Sequence, residues 1–158
     1  MRPSAAGGPP GGTRLVRSGL RSSASAAAAR GARHPRALAI VGAVERALAA
    51  RARALPGARV HVVGAGPDAR RVMRLLAAAG AVVSFSDPRV ARVDVDGLHL
   101  RAFRLDNGYL GCADCVVIVA HRPDHDYDYV ARAASLVVDA SGRMASRTGR
   151  HIVHLPPA

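Results

Sequence analysis

Gly64-Ala65-Gly66-Pro67-Asp68-Ala69 fits the pattern G-x-G-x-x-G/A. Two glycines at this spacing permit a tight strand-to-helix turn and let the backbone come close to a phosphate. The helix that follows would offer unpaired N–H groups and the positive end of its dipole. Asp87 lies 23 residues after Gly64, about where a dinucleotide fold keeps the acid that binds a ribose hydroxyl. Gly64 and Gly66 would then face the phosphates of a nucleotide and Asp87 its sugar. A competing reading makes the glycines purely geometric, because Asp68 in the first helical turn repels a phosphate and Pro67 has no N–H to give.

Three further clusters carry reactive residue types. Cys112-Ala113-Asp114-Cys115 has redox or half-zinc spacing. No second cysteine pair completes a zinc site, and Cys115 opens an apolar run where a small core residue is expected. His121 to Asp128 holds two His and three Asp, enough donors for a metal. Asp124 or Asp126 also reads as a helix cap, with Asp128 favourable in the first turn. Asp139-Ala140-Ser141-Gly142-Arg143 reads as a loop in which Arg143 either meets a phosphate or is simply solvated.

These residues need a scaffold of strands and helices. Pro35 to Ala54 carries Leu38, Val41, Val44 and Leu48 at helical spacing, and Pro56-Gly57 ends it. RVHVV (Arg59 to Val63) is a strand that runs into the glycine motif. Pro67 to Ala79 is a helix with Val72, Leu75 and Leu76 inward and Gly80 as its stop. Strands follow over Ala81 to Ser86, Leu98 to Phe103, Cys115 to Ala120, Leu136 to Asp139 and His151 to Leu155. A short helix is expected within Leu105 to Gly111 and another over Tyr127 to Ala134. CVVIVA is apolar throughout, as in a parallel strand covered on both faces. Strands alternating with helices predict a three-layer, Rossmann-like α/β domain with a mostly parallel sheet. The candidate ligand residues then gather at the carboxyl ends of the strands.

Composition narrows the function classes. The 158 residues suit one domain. Apolar residues reach 49 % but aromatics only 3 %, so the core is aliphatic. All 23 basic residues are arginine, which excludes a lysine base or Schiff base. Residues 1–36 hold seven arginines and no acid, so much of the net +12 sits in a Gly, Pro, Ser and Ala-rich stretch. Residues 1–33 are expected to form a disordered basic tail, with the domain over 34–158, its helix over 35–54 and its α/β core over 58–155. The tail would also suit an organelle transit peptide; a plain tail or a misassigned start is the simpler reading. It lacks aromatics and the other arginines are scattered, so neither nucleic acid nor membrane is the expected partner. No apolar run is long enough to span a bilayer. Two cysteines make no disulfide framework, and a reducing cytoplasm is the expected compartment.

Val116 to Met144 (VVIVAHRPDHDYDYVARAASLVVDASGRM) resembles the C-terminal domain of the UDP-glucose/GDP-mannose dehydrogenase family. The branch that oxidises UDP-N-acetylglucosamine and UDP-N-acetylmannosamine is the most similar. Upstream, the helix Pro35–Ala54, the strand ending at Gly64 and the segment Ala79–Pro88 follow in the same order, so the resemblance covers roughly residues 33–158. The family oxidises a UDP-sugar to its uronic acid with NAD. The resemblance implies that a uridine nucleotide, rather than NAD, is the ligand of this domain. It also implies that hydride transfer needs an NAD domain and a catalytic cysteine that this chain does not match. Neither Cys112 nor Cys115 corresponds to that cysteine, so no catalytic residue carries over. The loop that follows the first strand in the family is all but deleted here, since Gly64 runs at once into Pro67. The expectation is a truncated or degenerate homologue, inactive alone, either a fragment or a module that docks on a separate dehydrogenase catalytic domain. Two alternatives stay open: a stand-alone Rossmann-like nucleotide-binding or regulatory domain, and a small oxidoreductase with its own NAD site.

Overall fold

The computed structural model describes residues 34–105 and 108–156; the basic tail expected over 1–33 lies outside them. Helix α1 spans Pro35–Ala49, β1 Arg59–Val63, α2 Pro67–Ala78 and β2 Val82–Ser86. A pair of short strands follows, β3 Arg92–Val95 and β4 Leu98–Arg101. A single 3-10 turn, Leu110–Cys112, precedes β5 Cys115–Ile118. Helix α3 is Tyr127–Ala133, β6 Val137–Asp139 and β7 Ile152–His154.

Five strands form one sheet in the order β2-β1-β5-β6-β7, with every pairing parallel. The alternation of side chains sends Val60, Val62, Cys115, Val117 and Val138 to one face, under α1 and α2. Val63, Val116, Ile118 and Val137 go to the other, packed with Leu110, Tyr127, Val130 and Met144. Both faces are therefore covered, and continuous apolar runs such as Cys115–Ile118 are the consequence. This is the three-layer Rossmann-like α/β architecture that the strand–helix alternation predicts.

The strand expected over Cys115–Ala120 ends at Ile118 and the short helix expected within Leu105–Gly111 is the 3-10 turn Leu110–Cys112, but the larger differences are two. Helix α1 stops at Ala49, not Ala54. Leu48 O receives the N–H groups of both Arg51 and Arg53, and Ala52 turns left-handed at φ 55°. Residues 49–54 are exposed, so nothing rewards a further helical turn. The buried stripe of α1 is Ala37, Ile40, Ala43, Val44, Ala47 and Leu48, while Leu38 is 40 % exposed. Alanines, which allow close approach to the sheet, share the contact face with Ile40, Val44 and Leu48.

The strand expected over Leu98–Phe103 ends at Arg101 and does not join the main ladder. It pairs antiparallel with β3 across Asp96-Gly97, both at positive φ, the geometry of a tight hairpin turn. Phe85 and Ala102 form a bridge that sets the chain after the hairpin beside β2.

Candidate functional site

The sheet reverses direction of growth between β1 and β5. From β1, the chain passes through α2 to β2 on one side; β5, β6 and β7 lie on the other. Ligands of open α/β sheets bind at such a reversal, beyond the carboxyl ends of the strands. Here those ends are Gly64 after β1 and Ala120 after β5. Gly64 adopts φ +105°, and a Cβ placed on it would stand 3.0 Å from Ala120 Cβ. The fold itself demands glycine at 64. Gly66 differs: its φ of −67° suits any residue, and an added Cβ would meet no atom within 4 Å. Helix α2 begins there with no side-chain cap.

Asp87 ends β2 as expected and comes to the glycine loop, with its side chain fully buried. One carboxylate oxygen accepts the Ala65 N–H at 2.9 Å and the Arg122 Nε and Nη2 at 2.9 and 2.8 Å. The other accepts the Arg89 N–H at 2.9 Å. Burial alone would raise its pKa, but the Arg89 N–H, the Arg122 guanidinium and the Ala65 N–H together hold it below the ordinary carboxylate value. Asp87 thus clamps three segments at the switch point: the glycine loop, its own turn and the loop after β5.

The cleft above this clamp has a volume of about 630 Å³, within the ~300–1,000 Å³ range of small-molecule sites. Asp87, Pro88, Phe103, Arg104 and Asp124 to Asp126 are among the residues that line it. His125 Nε2 is buried there without a hydrogen-bond partner among the described residues. Such an atom calls for a water or a ligand. Burial lowers the His125 pKa, against the opposing pull of Asp87 and Asp124 and with the help of Arg122.

The structure brings Gly64, Gly66 and Asp87 together and leaves Arg143 apart. Arg143 is exposed on the loop after β6 and does not line the cleft. That loop is organised by Asp139 instead. Cys115 is buried in the sheet, and desolvation pushes its thiol up to about 12. Cys112 is exposed, and both thiols are free. Asp126 caps α3 by accepting the Tyr129 N–H, as the capping reading requires. Among the described residues no cluster of three metal-ligating side chains forms, and no helix is long and apolar enough to cross a membrane.

Beneath the cleft, His61 sits fully buried in β1. Its Nδ1 lies 2.8 Å from Ser84 Oγ and its Nε2 2.7 Å from Ser86 Oγ. Ser86 Oγ in turn donates to Phe103 O at 2.6 Å. Desolvation, assisted by His125, lowers the His61 pKa from 6.5 to about 4. The folded value lies below the unfolded one, so the unfolded chain takes up the proton first as pH falls. Stability on this account is full above pH 6.5 and declines toward pH 4. Urea unfolding is expected to lose about 2 kcal/mol between about pH 7 and pH 5, and His61→Gln should flatten most of that slope. A wild-type stability that stays level across this window would refute the neutral buried imidazole.

No family model and no curated protein matches the chain. Solved structures do. A dipicolinate synthase chain from Bacillus halodurans is 18 % identical, with a TM-score of 0.50 over 76 % of this chain and 45 % of that one. The Rex-family repressor RSP is 10 % identical, with a TM-score of 0.48 over 63 % of this chain and 52 % of that one. NADPH-dependent glyoxylate/hydroxypyruvate reductase from Sinorhizobium meliloti is 17 % identical, with a TM-score of 0.42 over 90 % of this chain and 74 % of that one. The chain spans about half the length of the first two. Fold and strand order together define it as a Rossmann-like α/β domain.

Proposed function

We propose that this chain is a nucleotide-binding domain of dehydrogenase type, taking a nucleotide at the reversal between β1 and β5. The observation that carries the reading is Gly66. The fold demands Gly64; Gly66 is a favoured helix N-cap residue, but neither backbone angle nor crowding restricts that position to glycine. A ligand phosphate pressed against the loop would. The approach is to the N-terminus of α2, where Asp68 is already paired with Arg71 at 2.8 Å. That pairing weakens the repulsion an acid in the first turn would otherwise exert.

The chain supplies binding and not redox chemistry in this reading. Cys115 is a protonated core thiol, and there is no lysine. Hydride acceptor and nucleophile would come from elsewhere, for example from a separate dehydrogenase catalytic domain. The finer proposal is that the nucleotide is a UDP-sugar, as the order of segments over residues 33–158 suggests.

Calorimetry of the full chain with UDP, a UDP-sugar and NAD tests both levels. Binding of UDP without NAD supports the UDP-sugar reading; binding of NAD alone replaces it with a dinucleotide site. Absence of binding by all three defeats the proposal, and NADH production on a UDP-sugar defeats the assignment of a binding-only role. Two variants sharpen the test. Gly66→Ala should leave stability within about 1 kcal/mol, since the gain in chain stiffness offsets a poorer helix cap, yet weaken nucleotide binding about tenfold. Gly64→Ala should cost ~2 kcal/mol of stability through its strained φ and the Ala120 contact. Equal affinity in Gly66→Ala would remove the reason for placing phosphate at the loop.

A further inference from the structure

We propose that Phe103 is the stacking surface for the base of the bound nucleotide. The inference rests on the nucleotide-binding reading above and assigns the part of the ligand that the glycine loop does not touch.

Among the described residues three large apolar side chains are exposed: Leu38, Val82 and Phe103. Phe103, 46 % exposed, is the one that lines the 630 Å³ cleft. A phenyl ring left in water on a loop would ordinarily turn inward or move freely; this one is held. Its N–H donates to Phe85 O at 2.8 Å, and its carbonyl accepts Ser86 Oγ at 2.6 Å. The ring stacks on Tyr109 with centroids 4.4 Å apart and planes 19° apart. Tyr109 in turn stands edge-on to the buried His61 ring at 5.3 Å. A column of three rings therefore rises from the sheet and ends on an exposed aromatic surface at the cleft.

Such a surface suits a planar heteroaromatic group. Bases stack on aromatic rings with little regard to sequence, because each presents a π-face. The same cleft holds polar partners for the rest of a nucleotide: Arg104 beside Phe103, and His125 Nε2, which is buried without a partner among the described residues. A ligand with neither base nor sugar, such as pyrophosphate, would leave the ring in water.

The test is calorimetry of the full chain with UDP, NAD, ribose 5-phosphate and pyrophosphate. Wild type should bind whichever nucleotide it takes at least about tenfold more tightly than the two probes without a base. Phe103→Ala should weaken that nucleotide about tenfold and leave pyrophosphate unchanged. Phe103→Trp should keep the affinity, and its fluorescence should be quenched by the nucleotide, a clean signal because the chain has no tryptophan. Nucleotide bound equally by wild type and Phe103→Ala, or indole fluorescence in Phe103→Trp that the nucleotide fails to quench, overturns the stacking role and leaves the nucleotide site standing. Failure of wild type to bind either nucleotide overturns both.

Discussion

Asp139→Ala is expected to lower the free energy of unfolding by about 3 kcal/mol in a urea titration, with an unchanged denaturant slope. The Asp139 side chain is fully buried at the end of β6. One oxygen accepts the Ser141 N–H, the Ser141 hydroxyl and the Gly142 N–H at 2.9, 2.7 and 3.1 Å. The other accepts the Met144 N–H at 2.8 Å. Four donors converge on one carboxylate, and alanine would strand them. Met144 is fully buried, so the loss of its N–H partner costs most, on the order of 1–3 kcal/mol alone. Met144 itself plugs the core beneath α3. Asp139→Asn should cost less than alanine, because the amide oxygen can still serve Ser141 and Gly142 while its NH2 group opposes the Met144 N–H. A loss below about 1 kcal/mol for alanine would mean that the loop finds other partners.

The contrast between Asp139 and Arg143 marks what the sequence could and could not tell. Strand, loop and sheet edge were legible from LVVDASGR, and with them the neighbourhood. The roles were not. A loop arginine invites a phosphate, but Arg143 is exposed to water. The aspartate that opens the same motif holds the loop instead, through geometry that no spacing encodes. The Gly64–Ala69 motif and the place of Asp87 were legible for a firmer reason. A strand, a glycine turn and a helix fix each other's positions locally, and the acid at the end of the next strand must come alongside.

The cleft depends on contacts made across the chain. Arg122 lies in the stretch rich in histidines and aspartates, yet its partner is 35 residues earlier. Its signal was its place just beyond the β5 end, beside the reversal. The sequence places Phe103 at the end of a strand. The cue against that is Asp96-Gly97, which turns a hairpin and so returns the chain beside β2 with Phe103 at the cleft. The covered core was legible because a parallel sheet needs unbroken apolar strands. His61 within one of them was not, since its burial depends on the two serine hydroxyls of β2.

Arg122→Ala should cost about 3 kcal/mol at about pH 7, more than the loss of an exposed ion pair allows. The reason lies in the partner. Asp87 is wholly buried, and without the guanidinium its charge keeps only the Ala65 and Arg89 N–H groups. Burial is then less opposed, and the carboxyl pKa rises from its wild-type value. In the wild type the folded pKa is depressed, so this group adds stability above the unfolded value and loses it as acid is added. In the variant that contribution is smaller, and the deficit against wild type shrinks as pH falls through the carboxylate range. Asp87→Asn in the Arg122→Ala background should recover part of the loss, because no charge is then left buried. The pair differs in this respect from Asp128–Arg147, which is exposed and whose removal should be nearly silent. The consequence reaches the proposed site, because the same carboxylate holds the Ala65 N–H and so the path of the glycine loop. Nucleotide affinity should fall in Arg122→Ala even where the protein is still fully folded. If stability drops but affinity does not, the clamp serves the fold alone and the loop keeps its shape without it.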